Sequence, residues 1–265
     1  MLGRAFTELW RYRHFILSSI VTEYRTRFAR SRLGTSWMLV GPLVQSAVLA
    51  VVFSKFLGAQ LAGAKDEFAF AVYILAGMAA WSMFAESLNR NLVVFRDHAH
   101  FIQSIRFPNL CLPLIVLGST LLSHLFMVVA LVAIYLVIGH GISVHILWLP
   151  LVTATVLLLA QGVGVIFGIL NVFRSDIGHA FSIFIPLLFW CTPIIYQLDV
   201  VPAAWQPLFY LNAMVPMVLA YQDVLAFQRA PDLVALAAVA ALAVGLNLLA
   251  MVMYRRARND LVDAL

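Results

Sequence analysis

His98 and His100 stand two residues apart beside Asp97. Imidazole and carboxylate are the side chains that hold a zinc ion. The spacing is too generic to mark a metal centre, and none is expected. Phosphoryl chemistry is excluded more firmly. The chain has two lysines, Lys55 and Lys65, and neither follows a phosphate-cradling glycine loop. No Walker A motif is present, so no ATP site is expected in this chain. Serine, histidine and aspartate are scattered over different segments, in no order that would assemble a nucleophile and its base.

The remaining reactive groups lie in apolar surroundings. Gln45, Glu86, His124 and Gln161 interrupt long hydrophobic runs. An ionisable group inside such a run usually faces protein or a water-filled cavity. Glu86 sits near one end of its run, where it either meets a nearby arginine or contacts a transported molecule. His124 sits near the middle of its run, where it either lines a path or ties two helices together. Aromatic residues gather between residues 181 and 210, among them Trp190, Tyr196, Trp205, Phe209 and Tyr210. Rings at this density mark a membrane interface or a stacking surface for sugar rings.

The elements that position these groups follow from composition. Of 265 residues, 63% are hydrophobic and 11% charged. A soluble domain carries about 25% charged residues. The chain therefore reads as an all-α integral membrane protein forming one domain over residues 1–265. Six spans are expected, near residues 37–57, 68–88, 110–138, 146–170, 177–196 and 233–254, each near the roughly 20 residues a crossing needs. No secretory leader is expected, because the first long apolar run begins after more than thirty residues. Cys111 and Cys191 fall in apolar segments and read as packing residues. Gly164 and Gly168 have the spacing of close helix contact.

The net charge of +5 is a topology signal rather than a nucleic-acid footprint. With the N-terminus inside, only Lys55, Lys65 and Arg229 of the 17 basic residues fall outside. That bias places both termini in the cytoplasm. Residues 4–30 alternate apolar and arginine positions at helical spacing. They read as a helix lying on the membrane face, or as an amphipathic helix packed on protein. The inner loop "NRNLVVFRDHAHFIQSIRFPN" has an apolar side that suggests a short helix over residues 93–106, either a docking element for an energy source or a plain connector. The segment from Gln197 to Asp232 is too apolar for a solvated loop and too broken by Pro202, Pro207 and Pro216 for a seventh span. It reads as short helices over residues 202–227 that dip into the outer leaflet. Broken backbone at that depth is tolerated only against protein or a cavity.

Two stretches resemble a known family. In "YRTRFARSRLGTSWMLVGPLV" the matching residues are Arg27, Ser31, Leu33, Gly34, Trp37 and Pro42. In "LNVFRSDIGHAFSIFIPLLFWCTPIIY" they are Asn171, Phe173, Arg174, Asp176 and the run Thr192-Pro193-Ile194. The pattern resembles the permease subunit of ABC-2 type polysaccharide exporters, which move lipid-linked O-antigen, capsule or teichoic acid chains. Two departures stand out. Asn212 is followed by Ala213 where the family often has proline, and Tyr221 by Gln222 where it often has arginine. The lost arginine is expected to change how anionic cargo or headgroups are met at the exit.

The resemblance implies a subunit of the bacterial inner membrane with no enzymatic site and no cofactor of its own. It implies a homodimer paired with two copies of a separate ATPase, which binds the ATP and Mg²⁺. Arg96, Asp97, Phe101 and Arg106 would belong to the coupling helix that meets that ATPase. Gly34 and Pro42 would be hinges between the surface helix and the first span. Arg25, Arg27, Arg30 and Arg32 are assigned to membrane lipid headgroups and to the pyrophosphate of the lipid-linked glycan. Glu86, His124, Trp190, Tyr196, Trp205, Phe209 and Tyr210 are the candidate channel and gate residues. Export of a smaller lipid or drug remains an alternative, as does an ATP-independent channel or secondary transporter. The latter lacks support, since no internal repeat or acidic relay is evident.

Overall fold

A computed structural model describes residues 10–28, 37–52, 69–104 and 109–265. Among these, every regular element is helical. The helices are α1 (Arg13–Phe28), α2 (Trp37–Val51), α3 (Ala69–Asp97), α4 (Ala99–Ser104), α5 (Cys111–Val137), α6 (Leu149–Phe173), α7 (Asp176–Trp190), α8 (Gln206–Phe209), α9 (Met214–Leu225) and α10 (Leu233–Ala264). Four are long and apolar enough to cross a membrane: α3, α5, α6 with the 3₁₀ turn that precedes it, and α10.

The trunk is α6 between α3 and α10. Glycines make this closeness possible. A Cβ on Gly164 would stand 2.6 Å from Asn91 Cβ of α3. At Gly168 it would collide with the Asn91 carbonyl. Gly162, two residues from Gly164 and so on the other side of the helix, would meet Leu246 Cβ of α10 at 2.8 Å. Gly164 and Gly168 thus serve the contact with α3 and Gly162 the contact with α10, each a close van der Waals approach.

Helix ends follow local chemistry. Gly139 takes φ +78° just past α5, the left-handed position that closes a helix and that favours glycine. The Asp232 carboxylate accepts from the N–H groups of Val234 at 2.9 Å and Ala235 at 3.1 Å, capping α10. Two expected boundaries shift. Residues 93–97 are the last turn of α3 rather than part of a loop helix, because Val94 and Phe95 are buried and continue its packing face. The separate loop helix is α4, and residues 105–108 lie outside the described residues. The fifth expected span keeps helical form only to Trp190. Pro193 removes an N–H and disfavours helix at Thr192, so the chain turns over residues 191–196.

Buried side chains form two clusters. One, at the arginine-rich end that carries α4 and the C-terminus, includes Phe95, Ile102, Ile169, Tyr254 and Leu261. The other includes Tyr73, Trp81, Tyr135, Val156, Met217 and Tyr221. Ile16, Ser19, Ile20 and Glu23 form a half-buried face of α1, with Tyr12 just before it also half-buried, while Trp10 and Leu17 are exposed. The helix lies along α5, where Gly118 makes room for Ile20.

Candidate functional site

At the arginine-rich end, Arg90 gathers three elements. Its guanidinium forms a close ion pair with Glu23 of α1. A second nitrogen stands 3.7 Å from Glu86 on its own helix and donates to Thr120 Oγ1 of α5 at 3.4 Å. A planar group with five N–H donors suits such a junction better than a point charge. Glu86 is therefore paired with arginine, the simpler of its two expected roles. Beside this junction lies a cavity of roughly 700 Å³, bounded by Tyr12, Phe15, Glu23, Arg90, Asp97 and Phe101 among others.

Arg96 and Asp97 are exposed at the end of α3, and Phe101 is 55% exposed on α4. His98 Nδ1 bonds the Val94 carbonyl at 2.9 Å, where α3 breaks from α4. Among the described residues no three histidine, cysteine, aspartate or glutamate side chains converge on a metal-sized site. Arg25 is exposed on α1, Arg27 lies in the last turn of α1, and Pro42 lies within α2. Arg30, Arg32, Gly34 and Arg106 lie outside the described residues.

Toward the opposite end, polar groups form neutral networks. His124 is 4% exposed. Its Nε2 meets Tyr221 Oη at 2.9 Å, and the same oxygen meets Thr153 Oγ1 at 2.6 Å. The three residues tie α5, α9 and α6 together. His124 therefore holds helices, while its α5 face also borders an apolar cavity of roughly 560 Å³ between α5 and α6.

A second network supports the break after α7. Tyr73 Oη of α3 donates to the Tyr196 carbonyl at 2.9 Å, with the Pro193 carbonyl at 3.3 Å. Gln222 Nε2 of α9 donates to that same Pro193 carbonyl at 3.1 Å. Asn212 donates to Thr192 Oγ1 at 2.9 Å and accepts from the Met214 N–H at 3.0 Å. Carbonyls of the non-helical turn after α7 are thus satisfied from inside the protein, as burial requires. Asn212 sets the turn into α9 through its own side chain, which accounts for a proline not being needed at position 213.

Gln222 corrects one expectation. Its side chain is fully buried, packed against Gly77 and Ile194. Position 222 is enclosed within the protein, so a change there is not a change in an exposed surface. Gln222 instead braces the backbone turn.

The aromatic residues divide. Tyr196 and Phe209 come together edge to face at 6.4 Å, and the Tyr196 hydroxyl donates to the Trp190 carbonyl at 3.0 Å. Trp190, Trp205 and Tyr210 are exposed. His124 is not brought into this group. Tyr73, Thr153 and Glu23 were not singled out by sequence. The available signal for Tyr73 and Thr153 is a hydroxyl within an apolar run; for Glu23 it is the lone carboxylate among the arginines of α1.

Asn171, one of the motif residues, is also buried. It donates to the Leu92 carbonyl of α3 at 3.0 Å and accepts from the Gly178 N–H of α7 at 3.0 Å. It joins α6, α3 and α7 at the arginine-rich end. Residues 15–226, most of this framework, match the family described as ABC-2 type transporter. The chain belongs to that family. Its members are membrane permeases without an ATPase domain, in keeping with a sequence that has no Walker A motif. The permease is 27% identical over 212 residues to an O-antigen export system permease protein of Klebsiella pneumoniae, covering 79% of this chain and 80% of that one. It is 24% identical over 264 residues to an O-antigen export system permease protein of Myxococcus xanthus, covering 99% of both.

Proposed function

We propose that this permease moves lipid-linked polysaccharide from the cytoplasm to the outer side of a bacterial inner membrane. Two copies form the channel, and two copies of a separate ATPase subunit bind ATP and Mg²⁺ and drive it. The observation that carries this reading is the similarity, over 99% of the chain, to a protein described as an O-antigen export permease. The geometry supports it. An exposed apolar ring, Phe101, stands on a short helix at the arginine-rich end, suited to a cleft in a partner protein. We read α4 as the coupling helix and assign Arg96, Asp97 and Arg106 to the same docking role. At the other end, α9 packs against α3 and α6, and with α8 it serves as the outer gate. Trp190, Tyr196, Trp205, Phe209 and Tyr210 supply rings for sugar stacking along the exit. Arg25, Arg27, Arg30 and Arg32 meet anionic headgroups and the pyrophosphate of the cargo. Gly34, in sequence between α1 and α2, and Pro42, within α2, act as hinges. Both termini are cytoplasmic.

The test is the lipid content of a strain lacking the gene. A lipid-linked glycan that accumulates in the inner membrane, and disappears when the gene is restored, is the expected result. Mass spectrometry would also give its chemistry. An unchanged glycolipid profile in a strain with no redundant exporter would overturn the reading in favour of a smaller cargo.

A further inference from the structure

Helix α10 is longer than a crossing requires. Its 32 residues extend about 48 Å at a rise of about 1.5 Å per residue, against a hydrocarbon core of about 30 Å. Its last part carries Arg255, Arg256 and Arg258, all exposed. Leu261 lies beyond them, where a projecting helix would be wet, yet it is fully buried. Tyr254 is buried as well, and its ring stacks on Phe95 of α3 with centroids 6.2 Å apart and planes 16° apart. Both belong to the cluster that also buries Ile102 of α4, and α4 touches α10 directly.

A helix of six residues has no stability of its own, because nucleation costs more than so few hydrogen bonds return. Its orientation is set by what Ile102 is buried against. Phe101, its neighbour in sequence, is 55% exposed and borders the cavity beside Arg90. The residues beneath α4 therefore decide where Phe101 stands. Among the described residues they include the end of α3 and α10, both of which touch α4. The α10 contribution lies beyond residues 15–226, the stretch that matches the family.

We propose that the C-terminal turns of α10, with Tyr254 and Leu261 as positioning residues, are the seat of α4 and hence part of the platform on which the partner ATPase docks. The inference rests on the reading of α4 as the coupling helix. In the apposed surface, Phe101 is the apolar anchor and α10 fixes its angle. Removal of the seat leaves the trunk intact, because α10 packs on α6 through residues far above it, such as Leu246 against Gly162.

The experiment uses the full-length permease in nanodiscs, with a spin label on Gln103→Cys, an exposed position of α4, and capture through a tag on the ATPase measured separately on the unlabelled chain. Two changes are introduced separately: Leu261→Ala, and deletion of residues 259–265. Leu261→Met serves as the conservative rescue, and membrane levels are matched by immunoblot. The expected result is a more mobile label and a several-fold loss of captured permease for both changes, with near-native behaviour for Leu261→Met. An unchanged label in both would overturn the seat, whatever the ATPase does. A mobilised label with full capture would also overturn the platform. In that case Phe101→Glu separates the two ideas. Capture lost on Phe101→Glu alone would leave the coupling reading standing, and capture unaffected by it would remove that reading too.

Discussion

The two ends of the permease solve the same problem with different chemistry. At the arginine-rich end, α1 is joined to α3 by charge, through Glu23 and Arg90, and Arg90 also reaches Thr120 of α5, in a setting where both charged partners keep some exposure. Around the break after α7, α3 and α9 are joined to the turn by neutral donors, Tyr73 and Gln222, aimed at backbone carbonyls. Ion pairs are tolerable where water and headgroups share the cost of solvating them. Deeper in, an unmet carbonyl is expensive and a charge more so. The difference predicts that the neutral network is the more sensitive of the two, although its individual bonds are the weaker kind.

The largest effect is expected in the trunk that both regions depend on. Gly168→Leu would drive a side chain into the Asn91 carbonyl, and backbone cannot yield as a flexible side chain can. The expected outcome is loss of folded protein from the membrane fraction, read by immunoblot, and loss of export with it. Next comes Gln222→Glu. It sets an acceptor against the Pro193 carbonyl in a fully buried site. A loss of about 2–3 kcal/mol is expected from an unsatisfied buried group, seen as a lower melting temperature of the purified permease. Tyr73→Phe removes one donor while keeping the ring. A typical net hydrogen bond is worth about 1 kcal/mol, so a smaller shift is expected. Because Tyr73 and Gln222 share the Pro193 carbonyl, the double variant should depart from additivity. Additive melting shifts would show that the two donors act separately.

How much of this was legible in sequence depends on the distance between partners. The long apolar runs of α3, α5, α6 and α10 announce themselves, and the glycine spacing at Gly164 and Gly168 pointed to close packing that the structure contains. Glu86 is paired with a residue four positions on, a separation that helical geometry makes readable. Glu23 is not, since its partner Arg90 lies on another helix. The role of Tyr73 is hidden for a further reason. Its acceptors are main-chain carbonyls of residues 193 and 196, and every residue has a carbonyl, so no side-chain pattern marks them. Gln222 departs from the family pattern, and the pattern alone suggests an exit surface where the structure has a buried side chain. Sequence identifies an unusual residue without saying which way it faces. The early end of α7 was encoded at Pro193, but apolar residues on either side of it masked the stop.

The smallest effect, and the one that sharpens the comparison most, is at Arg90. Arg90→Met removes the cation and keeps much of the stem. Glu23 and Glu86 retain access to water, so leaving them unpaired is far cheaper than burying a charge. Exposed and half-exposed ion pairs contribute about 0–1 kcal/mol, and a melting shift within that range is expected. Salt supplies the check. Partly solvated charges are screened over a Debye length of about 10 Å at 0.1 M, so the difference between Arg90→Met and the native chain should narrow as ionic strength rises. The Tyr73→Phe difference should not, because a neutral hydroxyl bonded to a carbonyl has no net charge to screen. Parallel salt dependence in the two variants would mean that the ends are held by the same kind of force. A narrowing confined to Arg90→Met would place the charge-held junction where solvent reaches and the neutral one where it does not.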